Sequence, residues 1–508
     1  MPINTEHPDY VERTPDWTLM RDCYAGERRI KSKTFTYLPA TGGMVEDGAM
    51  RGADPGYSAY IAYLTRAVFP DSVDDATKIL VGAMHRKPAK IELPEALEEM
   101  RGLATREGDT LEGLLRKINE EQLLVGRVGL LADVSPSRNV PHLVQYPAES
   151  IINWDDRNPD VFGVDKLQLV VLREEIQRRT DVFEWENVTQ YRVCLLEQQF
   201  EGGEPVGTSR LYTTFTETDG AMPVATDAIT PVYKGTPLDE IPFVFIGSND
   251  LSSKPDEIPL LGLARYTLTT YRGEADYRQT LFMLGQDTLV IIGEDSGSED
   301  EDAGVTKSTR TGAGAKISLP AVPGADAKFI GINRDGLSEQ RVALQNDHTR
   351  LREMGSRLLE PRSGTAESGE ALKVRVAAQT STLLQIAMTA AAGLESILKI
   401  CAKWVGADPE QVKVIPNLDF AETKARPADL RDLLDARERG APLSLESIHQ
   451  WAKQNGFTDA EFEAEVAQIK TEQELMDLLK PTPEAPEQGA PADDAEDTSE
   501  EESDTPAE

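Results

Sequence analysis

The chain is organised around the stretch Glu360-Pro361-Arg362-Ser363-Gly364-Thr365-Ala366-Glu367-Ser368-Gly369-Glu370 and the apolar pattern that follows it as far as Gly406. A proline and two glycines stop any preceding helix from continuing through this stretch, which predicts a turn or a mobile loop. Beyond it, apolar residues recur mainly at three- and four-residue steps, which predicts one apolar face on a helix of roughly 35 residues. The residues of this face are Leu372, Val376, Leu383, Ile386, Ala387, Ala390, Leu394, Ile397, Cys401 and Trp404.

This predicted helix is well above the mean helix length of about 11–12 residues. At 1.5 Å per residue it spans on the order of 50 Å. Its other face carries few charges and is rich in alanine, at Ala377, Ala378, Ala391 and Ala392. The pattern favours a strut in a larger assembly, with its faces completed by adjoining copies of the chain. The alternative is a long core helix in a monomeric α+β protein.

The first 250 residues predict an α+β domain, with helices first and a mostly antiparallel sheet after them. Three helices are predicted at 57–68, 72–84 and 110–124, the last capped by Asp109 or Thr110. The period then changes to short apolar strands separated by proline and glycine. These strands are predicted at 129–134, 143–146, 151–154, 164–174, 188–197, 211–215 and 243–246.

Two further helical patterns flank an insert of about 50 residues. The first runs from Pro259 to Gly285, and its apolar stripe includes Leu260, Ala264, Leu268 and Tyr271. The second runs from Gly336 to Leu359, with Leu337, Leu344, Leu351 and Leu358 at seven-residue steps. Such a narrow seam is typical of helix-to-helix packing, although a local helical hairpin would explain it equally well.

The insert between these helices contains strand patterns at 288–292, 315–319 and 328–332 and an acidic run at 294–302. After the long helix, residues 411–420 predict a strand and residues 427–479 predict small helices. Residues 481–508 hold 11 acidic side chains and no basic ones, and their Pro-, Glu- and Asp-rich composition predicts a disordered tail.

Composition excludes several classes of function. The formal net charge is −35 at pH 7, whereas a protein that grips phosphate backbones needs clustered lysine and arginine. The three cysteines are far apart, which argues against a disulfide framework or a cysteine zinc site. No apolar run of 18 residues occurs and the N-terminal residues lack the pattern of a signal peptide, so we expect no membrane span and synthesis in a cytoplasm.

No enzyme motif is present. The chain lacks a Walker-type glycine loop, a helical metal-binding histidine pair and a nucleophile elbow. The five histidines lie too far apart in sequence to give a local ligand signature. We therefore expect no enzymatic activity, no metal site and no cofactor.

The order of these parts resembles that of the portal proteins of tailed bacteriophages, over roughly residues 5–475. Local stretches are similar too, namely Leu124-Val125-Gly126-Arg127-Val128-Gly129-Leu130-Leu131-Ala132-Asp133, Tyr146-Pro147-Ala148-Glu149-Ser150-Ile151-Ile152-Asn153-Trp154, Pro237-Leu238-Asp239-Glu240-Ile241-Pro242-Phe243-Val244 and Ser368-Gly369-Glu370-Ala371-Leu372-Lys373. The chain departs from the family at its short, acidic-tailed C-terminal part.

The resemblance implies a multi-part α+β portal subunit. Its parts would be a wing (1–258), a first stem helix (259–285), a clip (286–335), a second stem helix (336–359), a tunnel loop (360–369), a long tunnel helix (370–406), a strand returning to the wing (407–425), a small helical crown (426–480) and the acidic tail (481–508).

It further implies a homo-oligomeric ring, usually of twelve subunits, at one vertex of the virion capsid and assembled in the host cytoplasm. The large terminase subunit would package double-stranded DNA through the ring, and the DNA would later leave by the same channel. Tail adaptor proteins, the major capsid protein and a scaffold protein would be further partners. An acidic body suits such a channel, because repulsion keeps the duplex from sticking to its wall.

Three groups of residues receive roles from this resemblance. The stem-packing residues are Leu260, Ala264, Leu268, Tyr271, Leu337, Leu344, Leu351 and Leu358. The tunnel residues facing DNA are Arg362, Ser363, Gly364, Ser368, Gly369, Lys373 and Arg375, of which Arg362, Lys373 and Arg375 are hypothesised to touch phosphates. The clip residues docking terminase and adaptors are Glu294, Asp295, Glu299, Asp300, Glu301, Asp302, Lys307 and Arg310. An oligomeric scaffold or adaptor without a DNA channel is the alternative function.

Overall fold

The computed structural model describes residues 3–134, 140–156, 167–201, 204–218, 221–229, 232–233, 236–237, 240–285, 288–292, 323–324, 326–330, 336–356, 369–418, 420, 427–454 and 457–479. Helices and sheets are both present, as the α+β class requires. The chain divides into two compact units, Met1–Ala421 and Glu422–Glu508.

The helices of the first unit are α1 (Pro8–Tyr24), α2 (Glu27–Ser32), α3 (Gly42–Glu46), α4 (Pro55–Arg66), α5 (Ser72–Met84), α6 (Glu99–Gly102), α7 (Leu111–Val125), α8 (Leu261–Leu284), α9 (Leu337–Ser356) and α10 (Gly369–Val405). The second unit contains α11 (Pro427–Glu438), α12 (Leu445–Gln454) and α13 (Phe462–Leu479).

The strands are β1 (Lys90–Glu92), β2 (Arg127–Asp133), β3 (His142–Pro147), β4 (Ile151–Asp155), β5 (Leu169–Arg179), β6 (Trp185–Glu201), β7 (Glu204–Thr218), β8 (Ala221–Ile229), β9 (Val232–Tyr233), β10 (Thr236–Pro237), β11 (Phe243–Gly247), β12 (Thr288–Ile292), β13 (Asp326–Ile330) and β14 (Lys413–Ile415). They pair antiparallel in a five-stranded sheet β4-β5-β6-β7-β8, a three-stranded sheet β11-β2-β3 and the pairs β1-β14, β9-β10 and β12-β13.

Helix α7 shows why the sequence folds as it does at the centre of the first unit. The Thr110 hydroxyl accepts a hydrogen bond from the Gly113 amide at 3.0 Å, so the helix begins with a satisfied N-cap. It ends at Gly126, whose φ of +72° suits glycine and lets β2 start directly afterwards. Nearly every apolar side chain of α7 is buried, and the helix therefore contributes to two hydrophobic clusters at once.

The first cluster lies among α1, α4, α5, α8 and the sheets, and the second lies between α7, β2, β11 and the C-terminal half of α10. Helix α1 is joined to α7 by the Trp17 indole, which donates to the Val125 carbonyl at 3.0 Å inside the core. Helix α7 and strand β2 contribute residues to both clusters and so connect them within this unit.

The long helix α10 is 37 residues long, close to the length predicted from its apolar spacing. Its segment Ser381–Val405 is apolar and long enough to cross a membrane by composition alone. Leu383, Ile386, Leu394 and Ile397 are nevertheless fully buried in the protein's own core. This segment therefore packs as a core helix against the sheet.

Several predicted strands differ from the structure in their bounds, and one falls outside the described residues. The strand predicted over 411–420 is only β14, because a short turn at Pro409–Gln411 precedes it and Pro416, which lacks an N–H, follows it. In the insert, β12 matches its prediction and β13 begins two residues before its predicted start. The strand predicted at 315–319 lies outside the described residues.

The described residues of the second unit form three helices. The Ser444 hydroxyl accepts from the Ser447 amide at 3.0 Å and so caps α12. On α12, Ile448 and Ala452 are buried, while the Trp451 ring stacks on Phe457 with centroids 5.9 Å apart. Helix α12 contacts both α11 and α13. The acidic tail predicted at 481–508 lies outside the described residues.

Candidate stem and channel elements

Helices α8 and α9 form an antiparallel pair. The Tyr266 hydroxyl of α8 donates to the Asp347 carboxylate of α9 at 2.6 Å, and the Arg350 guanidinium lies 5.0 Å from the centre of the Tyr266 ring. The helices are in contact at Gly273, where a Cβ would meet Leu344 at an ordinary van der Waals distance of 3.4 Å. These contacts hold the two helices side by side within one chain.

The N-terminal half of α8 packs in the helical core. Leu260, Ala264, Leu268 and Tyr271 are all buried there, among α1, α4 and α5. Polar contacts add to the attachment: Tyr63 donates to Asp276 at 2.6 Å and Arg272 donates to the Tyr37 carbonyl at 2.9 Å. Beyond Ala275 the apolar side chains become exposed, including Leu281, Phe282 and Met283.

The leucine seam of α9 faces the inside of its own chain. Leu344 and Leu351 are buried, and α9 contacts both α8 and α5. Near its C-terminal end, a Cβ at Gly355 would lie 3.6 Å from the Cβ of Ala76 in α5. The sequence leaves open whether this seam packs in a larger assembly or in a local helical hairpin; in the structure, α5 and α8 of the same chain cover Leu344 and Leu351. Leu337 is partly exposed, and Leu358 lies outside the described residues.

The insert between α8 and α9 carries the β12-β13 hairpin, in which Thr288 pairs with Ile330 and Ile292 with Asp326. The two strands follow α8 and precede α9 in the chain, so the helical pair leads into a small sheet. The clip residues Glu294, Asp295, Glu299, Asp300, Glu301, Asp302, Lys307 and Arg310 lie outside the described residues.

The tunnel elements are described in part. Gly369 is the first residue of α10, and Lys373 and Arg375 lie in its first two turns. Arg362, Ser363, Gly364 and Ser368 fall outside the described residues. At its other end, the long helix is followed by the short strand β14, which pairs with β1, a strand from the N-terminal half of the chain.

A carboxylate of α10 is hydrogen-bonded to the backbone of β14. The Glu395 carboxylate accepts from the Val414 amide at 3.0 Å and also pairs with Lys399 at 2.7 Å. Burial acts to raise the pKa of Glu395, but these two hydrogen bonds hold it below its usual range. The carboxylate therefore stays charged and fixes β14 against the helix.

A buried arginine at the start of β2 is a feature that sequence reasoning missed. The Arg127 guanidinium lies between the rings of Trp154 and Phe245, 4.1 and 4.3 Å from their centres. It is fully buried, and its three side-chain nitrogens have no hydrogen-bond partner among the described residues. Burial lowers the pKa of Arg127 to about 9, against the pull of Asp9, Asp156 and Asp256. The sequence signal for this site is a single charged residue, Arg127, in the apolar stretch that contains Val125 and Val128.

The cysteines and acidic groups form no metal site in the part of the chain that the structure describes, where no cluster of three or more histidine, cysteine, aspartate or glutamate side chains occurs. Cys23, Cys194 and Cys401 are buried, and none of the three forms a disulfide. Burial raises the pKa of Cys23 and of Cys401 to about 12, so both are unreactive core thiols.

Comparison with known proteins gives one family match. Residues 259–405 match a domain of unknown function, DUF4055. The match begins just before α8 and ends at the last residue of α10, so it covers the helical pair, the insert and the long helix. No curated protein matches the chain.

Three solved structures are similar over most of the chain. The virion of a native gene transfer agent particle contains a chain 15% identical, with 78% of this chain and 92% of that chain covered at a TM-score of 0.37. The neck of the native particle, with C12 symmetry, gives 16% identity, coverage of 75% and 89%, and a TM-score of 0.36. The neck of the empty particle, with C6 symmetry, gives 15% identity, coverage of 78% of this chain and 93% of that chain, and a TM-score of 0.36. TM-scores of this size do not establish a common fold.

Proposed function

We propose that this chain is a portal subunit of a tailed bacteriophage or a similar particle, and that copies of it form a ring through which double-stranded DNA passes. The observation that carries the proposal is the order of α8, insert, α9, break and α10 within one unit, with the long helix returning to the wing through the β1-β14 pair. The quoted sequence stretches support the same family.

The helical pair suits a stem in the proposed ring. Its root is fixed in the core by the burial of Leu268 and Tyr271, whereas Leu281, Phe282 and Met283 at its far end are exposed. Because the leucine seam is already covered inside the chain, the ring contacts of the proposed assembly are formed by the outer faces of the stem, not by that seam. We infer a closed ring of heterologous contacts, with twelve copies expected.

Charge supports passage of DNA without gripping. The net charge of −35 at pH 7 repels phosphate, so a duplex would slide along the channel wall without being held tightly.

The proposed role is structural, without catalysis or cofactor. Its proposed partners are the large terminase subunit and tail adaptors at the clip, the capsid proteins, and DNA within the channel.

Electron microscopy of the purified protein tests this proposal. A closed ring with a central hole as wide as a DNA duplex is the expected result, and the mass of the particle in solution then gives the number of subunits. Single chains would overturn the proposal, and compact dimers or open filaments would overturn it in favour of an oligomeric scaffold.

A further inference from the structure

The five-stranded sheet carries a two-stranded arm that extends beyond the neighbouring strands. The pairing of β4 with β5 ends at Leu172, and the pairing of β7 with β6 begins at Gln190. Past these points, within the described strands, β5 and β6 pair with each other alone, as far as Arg179 and Trp185. Every residue of 175–187 is exposed, and this segment is called the arm below.

The tip of the arm presents apolar side chains to solvent. Phe183 is 89% exposed, the highest value among the large apolar side chains that the structure describes. Val182 and Trp185 beside it are 59% and 63% exposed. Single exposed apolar residues are ordinary, but a contiguous apolar patch marks a site of interaction. The tip is therefore a candidate docking surface.

Local hydrogen bonds fix the shape of the tip. The Thr180 amide donates to the Glu184 carbonyl at 3.0 Å and closes the turn. The Arg179 guanidinium donates to the Val182 carbonyl, with Nε at 3.1 Å from the oxygen. Phe183 thus lies on a turn whose conformation is set before any partner arrives. Such preorganisation lowers the entropic cost of binding.

The shape and charge of the tip restrict what it can bind. A convex tip cannot enclose a small molecule, because small-molecule sites are concave. Asp181 and Glu184 flank Phe183, and their carboxylates disfavour contact with a nucleic acid or with an anionic membrane surface. A protein with an apolar pocket remains, into which aromatic side chains insert as anchors.

The size of the arm suits a protein interface. One partner in a stable complex buries about 800 Å², and one buried Phe or Trp contributes roughly 150–250 Å². Phe183 and Trp185 can therefore supply roughly half of that area. The other exposed residues of the arm can supply the rest. An isolated two-stranded hairpin is also marginally stable in water, so a partner that covers the arm would stabilise it.

The other apolar surfaces available for a ring contact are covered to a greater extent. Leu344 and Leu351 of α9 are buried against α5 and α8 of their own chain. At the exposed end of α8, the Arg66 guanidinium lies 4.0 Å from the centre of the Phe282 ring and covers one of its faces. The arm keeps its aromatic tip exposed, so a ring of identical chains can use this tip as an anchor.

We propose that the arm of each copy docks on the adjoining copy of this chain, with Phe183 and Trp185 as its anchors. The inference rests on the ring of the proposed function, and it adds a contact to those between the outer faces of the stem. An arm that docks on a different surface of the next copy makes a heterologous contact, which generates a ring when the rotation closes.

Photo-crosslinking in the assembled full-length protein tests the contact. A benzophenone amino acid is placed at position 183, and unlabelled chains are mixed with isotope-labelled chains before assembly. We expect irradiation to join two chains, and mass spectrometry to find joined peptides with one labelled and one unlabelled partner. Rings in which position 183 links within its own chain, or does not link, would overturn the docking arm and leave the ring standing. A protein that stays monomeric would overturn both.

Truncation of the anchor gives a second measurement. Phe183→Ala should raise the protein concentration at half-assembly by about tenfold or more, the effect of losing one aromatic anchor. Met50→Ala, at a 66% exposed position outside the arm, should leave that concentration unchanged. The urea midpoint of the dissociated Phe183→Ala chain should match the wild type, because the side chain is exposed. Unchanged assembly of Phe183→Ala, or an equal rise in both variants, would overturn the role of the arm.

Discussion

Gly393 of the long helix lies directly against Ile246 of β11, and a Cβ at Gly393 would lie 2.5 Å from Ile246 Cγ1. Ile246 is completely buried, and it lies in the hydrophobic cluster between α10, α7 and the sheet. Neither the helix nor the strand can move aside without opening that cluster. The glycine therefore sets the distance at which the long helix crosses the sheet.

We predict that Gly393→Ala destabilises the protein even though alanine is the better helix former. Overpacking a core costs about 1–3 kcal/mol, whereas replacing glycine by alanine inside a helix gains roughly 0.5–1 kcal/mol. The steric clash should outweigh the gain in helix propensity, because the added Cβ meets the buried side chain of a strand residue. Denaturant unfolding should show the loss as a lower midpoint with an unchanged slope.

Gly82 of α5 is the matched control. It is exposed, and a Cβ there would meet nothing within 4 Å. Gly82→Ala should therefore gain stability by the ordinary helix preference. Shortening the neighbour should also relieve the clash, so Gly393→Ala combined with Ile246→Ala should cost less than the sum of the two single changes. Additive costs would contradict the contact.

A second prediction concerns Arg127. We expect Arg127→Met to raise the free energy of unfolding at pH 7. Unsatisfied buried donors cost about 1–3 kcal/mol each, while stacking on two aromatic rings returns about 2 kcal/mol or more when desolvated. With three nitrogens unpartnered among the described residues, the burial cost is the larger effect. Chemical denaturation of both proteins measures the difference.

The pH dependence distinguishes this cause from simple repacking. The folded pKa of Arg127 is lowered to about 9, below the ordinary arginine value, so between these values the unfolded state binds the extra proton. The free energy of unfolding of the wild type therefore rises above pH 9. The amount by which Arg127→Met exceeds it should be smaller at pH 10.5 than at pH 7. Arg192, which pairs with Asp133 at 2.8 Å and Glu174 at 3.0 Å, is the control, and Arg192→Met should destabilise.

The third prediction concerns the helical pair. Leu351→Ala should destabilise the protein by about 2–5 kcal/mol, the usual cost of a leucine cavity. Because α5 and α8 of the same chain cover Leu351, the loss relative to wild type should be equal at low and at high protein concentration. Val342→Ala, at an exposed position on α9, should stay within about 0.5 kcal/mol of wild type. A loss that varies with concentration would place a neighbouring copy on this seam.

Local patterns in the sequence predict most of the helices. Helix α7 begins at its predicted cap Thr110 and ends at a glycine with positive φ, both of which are local signals. The length of α10 follows from apolar spacing alone. Periodicity shows that a helix has an apolar face but not what covers it, which is why the sequence leaves the partner of Leu344 and Leu351 open between another copy and a helix of the same chain.

Other features depend on contacts between distant parts of the chain. Gly393 and Ile246 are 147 positions apart, and nothing near either residue signals that they touch. Arg127 breaks the rule that charged residues avoid the core, and only the positions of Trp154 and Phe245 explain its burial. Gln122 likewise donates to the carbonyl of Gly247 at 2.6 Å, a partner that no helical pattern could place.

The fourth prediction tests the proposed clip. Deleting residues 297–311, which lie outside the described residues, should leave ring formation intact because the wing, stem and long helix are untouched. Binding of the terminase large subunit to the ring should fall, since the proposed docking surface includes Glu299, Asp300 and Arg310. Co-sedimentation of ring and terminase measures this. Normal docking by the deleted ring would contradict the assignment.

The fifth prediction tests the proposed tunnel. Changing Arg362, Lys373 and Arg375 together to alanine should leave the ring assembled but lower the retention of packaged DNA, because weak phosphate contacts are lost. The deficit should diminish at high salt, which screens those contacts in the wild type. Nuclease-protected DNA per particle is the measurement.

A matched variant separates the tunnel position from the change in net charge. Lys78, Lys90 and Arg101 each pair with a nearby carboxylate on the wing surface, where such pairs contribute little to stability. Changing these three to alanine removes the same charge without touching the proposed tunnel, so DNA retention should match the wild type. Equal retention by the tunnel variant, or an equal deficit in both variants, would show that Arg362, Lys373 and Arg375 have no specific role in holding DNA.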